Sequence, residues 1–401
     1  MRFVPPAGTP IGIADFVRWF STALSGSTVL KKFADAVQQK FGIRHCFFLS
    51  SGRAALALIA KVLYELRDEP DRNEIVVPAY TCYSVPASVI KAGLKVRLCD
   101  VDPNTLGLDL DKLRSIDYRK VLAIVSGNLY GMPNQLAEIE KIAKEKGVYF
   151  IDDAAQSLGA KWNGQAAGTF GDVGLYSLDK GKNITSLQGG LIVTNDDAIA
   201  HALQKTIAQL PPTPTITVVI YLIKTLIYSL LLRPGLYWIP RSIPFLGLGQ
   251  TAYETDYPVT QFSPTLAALG FTLFNKLDAI NGTRTHNGNA IRKRIQSAKT
   301  VRTIALPAEA TPVYLRFPIL VQDAVKRSKL IEALEQAGIG ATISYPQCLK
   351  NLPDIQFELV NAAEPMPGGR EVAACIVTLP THAYVLQKDI AKMAQVIESV
   401  Y

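Results

Sequence analysis

The sequence has few cysteines and histidines, and their positions argue against several classes of site. Five cysteines occur among 401 residues, at positions 46, 82, 99, 348 and 375, and no two are spaced as C-x-x-C. This argues against a disulfide framework and favours a reducing compartment. The four histidines show no metal-ligand spacing, so we predict no metal site. The N-terminus lacks a basic start followed by an apolar core, and we therefore expect a cytoplasmic protein.

The sequence also lacks the charge pattern of a nucleic-acid-binding protein. Its formal net charge is +8, but no basic stretch is interleaved with aromatic residues. We therefore predict no nucleic-acid partner. Hydrophobic residues make up 48% of the chain and charged residues 19%, which is typical of a globular protein.

Short apolar runs alternate with helical patterns over the first half of the chain. The runs predict strands at 46–50, 75–77, 95–99, 121–125 and 148–151. Helical patterns separate them, and this alternation predicts an α/β domain with a mainly parallel sheet. In such a sheet, ligands bind at the carboxyl ends of the strands, so we look for chemistry directly after the apolar runs.

The second half of the chain predicts a smaller α+β domain. A long helix over 263–297 precedes predicted strands at 313–321, 339–343 and 376–379. We assign residues 1–285 to a large domain and residues 286–401 to a small C-terminal domain. The large domain carries an apolar insert at about 211–250.

Three polar segments follow predicted strands and are candidates for chemistry. Ser50-Ser51-Gly52 opens an Ala-rich helix, which is either an anion site or an ordinary helix start. Asp152-Asp153 follows a buried strand, where carboxylates need a ligand or a local cap. Lys182 lies in a turn-rich segment, where a lone lysine is usually solvated. Together they provide the lysine, carboxylate and phosphate cup that a pyridoxal phosphate (PLP) site requires.

The order of these motifs resembles one enzyme family. SSGRAAL comes first, followed by VPAYTCYSVPASVIKAG, VYFIDDAAQSLGA and GTFGDVGLYSLDKGKNITSLQGG. With this order the chain resembles the DegT/DnrJ/EryC1/StrS family of PLP-dependent sugar aminotransferases over nearly its whole length. The resemblance implies an aspartate-aminotransferase-like large domain (PLP fold type I) and pyridoxal 5'-phosphate as the cofactor.

The resemblance also implies roles for individual residues. Lys182 matches the lysine that carries the cofactor, and Asp153 the partner of the pyridine nitrogen. Gln156 matches a neighbour of the ring hydroxyl, and Ser177 a phosphate ligand. The phosphate-binding turn matches Gly52 and Arg53, with arginine in place of a common threonine.

Other positions depart from the family pattern. Where the family often has an aromatic residue stacked on the cofactor ring, this chain has Cys82, with Tyr83 next to it, and either could contact the ring. A family histidine is replaced by Asn128. The Asn and Arg that the neighbouring subunit usually supplies are missing, and Gln261 is the nearest replacement. The resemblance still implies a homodimer with shared active sites.

The resemblance implies that the chain moves an amino group from an amino acid to a keto acceptor. The usual donor in the family is L-glutamate. A nucleotide- or lipid-linked ketosugar is the expected acceptor. One alternative is a PLP-dependent sugar dehydratase, but those members replace the lysine with histidine. The others are an aminotransferase of a lipid-like substrate at the membrane surface and a non-catalytic scaffold of the same fold.

The insert has a composition of its own. Residues 216–232 form a strongly apolar run with one charged residue, Lys224, and the run falls just short of a membrane span. One interpretation is a hairpin in the membrane surface over 216–248, with interfacial side chains from the segment that follows the run. The other is burial in a dimer interface. We favour the membrane interpretation, which would place the protein on the inner face of the cell membrane. The expected interfacial residues are Arg233, Tyr237, Trp238 and Arg241.

Overall fold

The computed structural model describes residues 2–243 and 252–400. Its strands, numbered in chain order, are β1 (His45–Leu49), β2 (Glu74–Pro78), β3 (Lys95–Cys99), β4 (Val121–Gly127), β5 (Tyr149–Asp153), β6 (Lys161–Trp162), β7 (Gln165–Ala166), β8 (Val173–Ser177), β9 (Gly190–Thr194), β10 (Val301–Thr303), β11 (Ala310–Thr311), β12 (Phe317–Val321) and β13 (Ile376–Leu379).

The helices surround these strands and are numbered in the same way. They are α1 (Ile13–Ala23), α2 (Thr28–Phe41), α3 (Gly52–Arg67), α4 (Ser84–Lys91), α5 (Leu110–Ser115), α6 (Leu136–Lys146), α7 (Asp197–Gln209), α8 (Thr215–Leu231), α9 (Trp238–Arg241), α10 (Pro264–Phe274), α11 (Leu277–Ile295), α12 (Ala324–Gln336), α13 (Pro367–Cys375) and α14 (Gln387–Ser399).

A seven-stranded sheet of order β1-β9-β8-β5-β4-β2-β3 forms the centre of the N-terminal part of the chain. The pairs from β8 through β5, β4 and β2 to β3 are parallel. The two pairs at the β1 end are antiparallel. The predicted α/β class with a mainly parallel sheet is therefore confirmed. Helix α3 is buried along most of its length because it lies against this sheet, which explains its Ala- and Leu-rich sequence.

The C-terminal part contains a three-stranded antiparallel sheet of order β10-β12-β13. The predicted strand at 339–343 is wrong, because these residues form only isolated bridges, from Ile339 to Val4 and from Thr342 to Thr378. The strand predicted over 313–321 begins only at Phe317. The N-terminal segment thus pairs with the C-terminal part, which the local sequence pattern gives no means of recognising.

The single helix predicted over 263–297 is also wrong. The structure divides it into α10, which is buried almost all round, and α11, which is largely polar. The break falls at Asn275-Lys276 without glycine or proline, so the sequence carries no punctuation there. The predicted domain boundary at 285/286 falls inside α11, and the division into domains stays a prediction.

The insert contributes two helices, α8 and α9. Helix α8 packs one side on the core through Val218, Tyr221, Leu222 and Tyr228. Residues 244–251, which include the end of the predicted surface hairpin, lie outside the described residues. None of the described helices is long and apolar enough to cross a membrane.

Candidate active site

The candidate site lies where the parallel strands end and α3 begins. Asp153 ends β5 and pairs with Gly127 of β4 and Leu175 of β8. Ser177 ends β8, next to the first turn of α3. A Cβ atom added to Gly52 would lie 3.0 Å from the Ser177 Cβ and 3.1 Å from its Oγ. Glycine is therefore needed at position 52 for the helix start and the strand end to meet.

The start of α3 is suited to binding an anion. Ser51 is the N-cap residue, and its Oγ accepts a hydrogen bond from the Ala54 N–H at 3.1 Å. The first N–H groups of a helix have no partner within it, and the helix dipole adds positive potential there. The Ser177 hydroxyl beside Gly52 provides a donor for the same anion.

Arg53 belongs to this helix start, but its side chain is engaged elsewhere. Its Nη1 lies 2.7 Å from Glu254 Oε2, and its guanidinium lies 4.6 Å from the centre of the Tyr257 ring. A contact between this guanidinium and a phosphate would require the ion pair with Glu254 to open.

Asp153 and Lys182 are the two charged residues of the site. Asp153 is buried, and its Oδ1 accepts the Ala155 N–H at 2.9 Å. Within the described residues its other oxygen, Oδ2, has no hydrogen-bond donor. Burial raises the pKa of Asp153, while the Ala155 N–H and the positive charge of Lys182 oppose that rise. The pair leaves one carboxylate oxygen available to a ligand.

Lys182 is held through its backbone while its amine is free. Among residues 2–243 and 252–400, its Nζ takes part in no hydrogen bond or ion pair. Its carbonyl accepts the Thr9 hydroxyl at 2.5 Å, and the Thr9 N–H donates to the Tyr228 hydroxyl at 2.9 Å. The sequence did not point to Thr9 or Tyr228, because neither lies near Lys182 in the chain and neither belongs to a recognisable motif.

The two neighbouring aspartates serve different purposes. Asp152 Oδ1 accepts from Asn128 Nδ2 at 2.7 Å, and its Oδ2 accepts the N–H groups of Gly168 and Phe170. It is fully buried, and burial raises its pKa to about 7. Asp152 therefore holds the loop before β8 in place, and Asn128 is its partner. Asp153 is the one that remains available to a ligand.

Replacing Asp152 with asparagine is expected to change the pH dependence of stability. Because the pKa is about 7 rather than the ordinary 3.8, the folded protein binds this proton more tightly than the unfolded chain does. The wild type therefore loses stability relative to the variant as the pH rises between these values. Urea unfolding of both proteins below and above that window measures the change. A difference in unfolding free energy that is the same at every pH would contradict it.

Gln156 is oriented from two sides. Its Oε1 accepts the Tyr130 N–H at 3.1 Å, and its Nε2 donates to the Tyr345 hydroxyl at 3.0 Å. One N–H of the amide is left for a ligand. Tyr345 is buried, and its pKa is raised by burial and by the neighbouring Cys82 thiol. The sequence placed Tyr345 after an apolar run but could not assign it to the site.

Cys82 and Tyr83 differ in what they can offer to a bound ring. Tyr83 is buried, its hydroxyl accepts the Gln347 N–H at 3.0 Å, and its ring centre lies 5.5 Å from that of Tyr345. Cys82 is half-exposed, and its sulfur accepts the Ser84 hydroxyl at 3.0 Å. Of the two, Cys82 is therefore the residue with surface left for a ligand.

These residues fit a phosphorylated aromatic cofactor that binds covalently to an amine. The cradle between Gly52 and Ser177 would be filled by a single Cβ, and the start of α3 faces it. A buried carboxylate oxygen and an unpaired lysine amine flank the same strand ends. The Gln261 side chain donates to the Ile207 carbonyl at 3.3 Å, while its backbone forms a bridge with Leu49 at the end of β1.

Comparison with known proteins follows this geometry. The sequence model of the DegT/DnrJ/EryC1/StrS aminotransferase family matches residues 19–209 and 259–400, which leaves out the insert. The chain is 34% identical over 176 residues to GDP-4-keto-6-deoxy-D-mannose 3-dehydratase of Yersinia pseudotuberculosis, covering 43% of this chain and 45% of that protein. It is 30% identical over 205 residues to L-glutamine:2-deoxy-scyllo-inosose aminotransferase of Streptomyces kanamyceticus, covering 50% and 47%. The matches thus span about half the length of these relatives.

Solved structures share the fold over the whole chain. The sugar aminotransferase CalS13 of Micromonospora echinospora superposes with a TM-score of 0.80 at 20% identity, covering 99% of this chain and 100% of that one. The predicted aspartate-aminotransferase-like fold is therefore confirmed.

Proposed function

The chain belongs to the DegT/DnrJ/EryC1/StrS aminotransferase family, and on that premise we propose that it is a PLP-dependent aminotransferase acting on a sugar. The cofactor that goes with this family and fold is pyridoxal phosphate. The proposal rests on one observation above all. The Lys182 amine has no partner among the described residues, and its positive charge opposes the rise that burial causes in the pKa of Asp153, next to a helix start that can bind phosphate.

Each residue of the site has a task in this proposal. The first N–H groups of α3 and the Ser177 hydroxyl hold the phosphate, and Gly52 keeps the cradle open. Asp153 Oδ2 would accept a hydrogen bond from the protonated ring nitrogen. The cofactor, when bound, would supply the electron sink for amino transfer. The Lys182 amine would act as the general base that moves the proton from the substrate carbon.

Gln156 and Tyr345 position the ring in this proposal. The Gln156 amide is fixed by Tyr130 and Tyr345, so its free N–H can point only in a restricted direction. A donor oriented in this way suits the ring hydroxyl. Cys82 leaves less surface for stacking than an aromatic residue would.

A dehydratase is the second candidate, and the 34% identity to a GDP-4-keto-6-deoxy-D-mannose 3-dehydratase favours it. Residue 182 distinguishes the two reactions. The dehydratase members have histidine at this position, whereas amino transfer would use a lysine amine both to attach the cofactor and to move the proton. Lys182 therefore supports amino transfer. The presence of Lys182 also argues against the interpretation of the chain as a non-catalytic scaffold.

The donor and the acceptor are the finer part of the proposal. We infer L-glutamate as donor, with L-glutamine as the alternative, since one relative is named a glutamine aminotransferase. We infer a nucleotide- or lipid-linked ketosugar as acceptor. A homodimer with shared sites and a cytoplasmic location stay predictions.

The visible spectrum of the purified protein with PLP tests this function. We expect a yellow band that bleaches when L-glutamate or L-glutamine is added, because the amino group passes to the cofactor. D-Glutamate is the matched control and should leave the band unchanged. A colourless protein that takes up no PLP would overturn the proposal. A band that neither L-amino acid bleaches would point to another amino donor or to a reaction other than amino transfer.

A further inference from the structure

Helix α8 presents an apolar surface to solvent that none of the residues in 2–243 and 252–400 covers. Seven aliphatic side chains on one side of the helix are between 42% and 67% exposed. We call this the α8 surface, and its members are Ile216, Val219, Ile220, Ile223, Leu226, Ile227 and Leu230. Their spacing of three and four residues places them on one face. Scattered exposed apolar residues are ordinary, but a continuous face of this kind marks an interaction site.

The opposite side of α8 is attached to the protein, so the direction of the surface is fixed. Thr225 and Ser229 are buried there, and the Tyr228 hydroxyl accepts the Thr9 N–H. Thr9 in turn donates to the carbonyl of Lys182. The helix cannot rotate its apolar side inward without breaking these contacts.

Helix α1 shows the same feature independently. It packs on α10, where Trp19 Nε1 donates to the Thr265 carbonyl at 2.7 Å. Its outer side exposes Ile13, Val17 and Phe20, and Leu24 follows directly after the helix. Its one acidic residue is buried and paired with a lysine. Two helices that both pack on α10 therefore show apolar outer sides without an exposed carboxylate.

The charged residues of the insert itself have one sign. Residues 198–253 contain no Asp or Glu but include four Lys or Arg residues. Of these, Arg241 is paired with Glu335 at 2.9 Å. Lys224 and Arg233 are exposed, and neither has an ion-pair partner in the part of the chain that the structure describes. An apolar face bordered by unpaired cations matches the surface of an anionic bilayer, which offers acyl chains and phosphate groups together.

We propose that the α8 surface binds an anionic lipid bilayer, with α8 lying in the plane of the membrane. A second copy of the chain fits less well, because pairing this surface with itself brings each Lys224 to a segment without carboxylates. The Trp238 side chain at the start of α9 is 51% exposed, and tryptophan is a residue type enriched at membrane–water interfaces. Tyr237 and Arg241, which the sequence also placed at the membrane, instead contact Phe3.

Tryptophan fluorescence tests the proposal without any substitution. The chain has three tryptophans, and Trp19 and Trp162 are buried, so Trp238 reports on the surroundings of the insert. With the full PLP-loaded protein, we expect a blue shift on adding phosphatidylcholine–phosphatidylglycerol vesicles and quenching by brominated lipid. Pure phosphatidylcholine should give a smaller shift. No shift with anionic vesicles would overturn the proposal.

Flotation with the same vesicles provides a second measurement. Replacing Ile223 and Ile227 with glutamate should lower vesicle binding by at least about tenfold. The matched control replaces Val325 and Phe357, which are exposed apolar residues of the C-terminal part, with glutamate. It adds the same charge and should bind as the wild type does. Equal losses in both variants would contradict a specific surface. A wild type that ignores vesicles and a variant that dissociates into monomers would establish a subunit interface instead.

Discussion

Replacing Lys182 with alanine is expected to lower kcat for amino transfer by at least about 10³-fold. The amine both attaches the cofactor and moves the proton, and no other lysine amine acts on Asp153. Borohydride reduction followed by peptide mass spectrometry should find the cofactor on the wild-type Lys182 and on no peptide of the variant. The fold should be unaffected, because the Lys182 amine is unpaired and its backbone contact to Thr9 is kept.

Lys180 offers a matched control two residues away. It is exposed and has no counterpart in the family motif, so Lys180→Ala should keep wild-type kcat and cofactor attachment. An alanine variant at 182 that retained amino transfer, or a cofactor found on Lys180, would show that the assignment of the lysine is wrong.

Replacing Asp153 with asparagine should lower kcat by about 10²-fold or more, since a neutral amide cannot hold the ring nitrogen protonated. Stability should be unchanged or increased. Burial raises the pKa of this carboxyl, so its ionised form is unfavourable in the folded protein above the pKa, and asparagine removes that charge. The amide oxygen can still accept the Ala155 N–H. Steady-state kinetics and urea unfolding of the same preparations separate the two effects.

Asp172→Asn is the control for this change. Asp172 also has a raised pKa and accepts a backbone N–H, from Phe150, but it precedes β8 and lies away from the strand ends. Its variant should keep kcat. If Asp153→Asn retained kcat within about threefold, Asp153 would not be the partner of the ring nitrogen.

Much of the large domain could be predicted from the sequence. The strands β2 to β5 are short apolar runs between turn signals, and hydrophobic periodicity is enough to locate them. The strands of the C-terminal part were harder to predict, because Ile339 and Thr342 pair with partners far away in the chain. The break between α10 and α11 has no local sequence signal either. It depends on the burial of α10 and the exposure of α11, which only the tertiary structure shows.

The sequence by itself determined the candidate chemistry: a carboxylate and a glycine-opened helix at the ends of two predicted strands, and a lysine in a turn-rich segment. Parallel strands bring their carboxyl ends to one edge, so the order of motifs was sufficient to predict a common site. Only the tertiary structure decided which of the two neighbouring aspartates faces the site. Asp152 turns to Asn128 and Asp153 does not, because successive side chains of a strand point to opposite sides of the sheet.

The tertiary structure also decided the contacts between distant parts of the chain. Tyr345 meets Gln156, and Thr9 holds the backbone of Lys182, through packing between segments that no local pattern connects. The apolar run of the insert was visible in the sequence. Which of its side chains face solvent was decided only when Tyr228 fixed one side of α8 to the N-terminal segment.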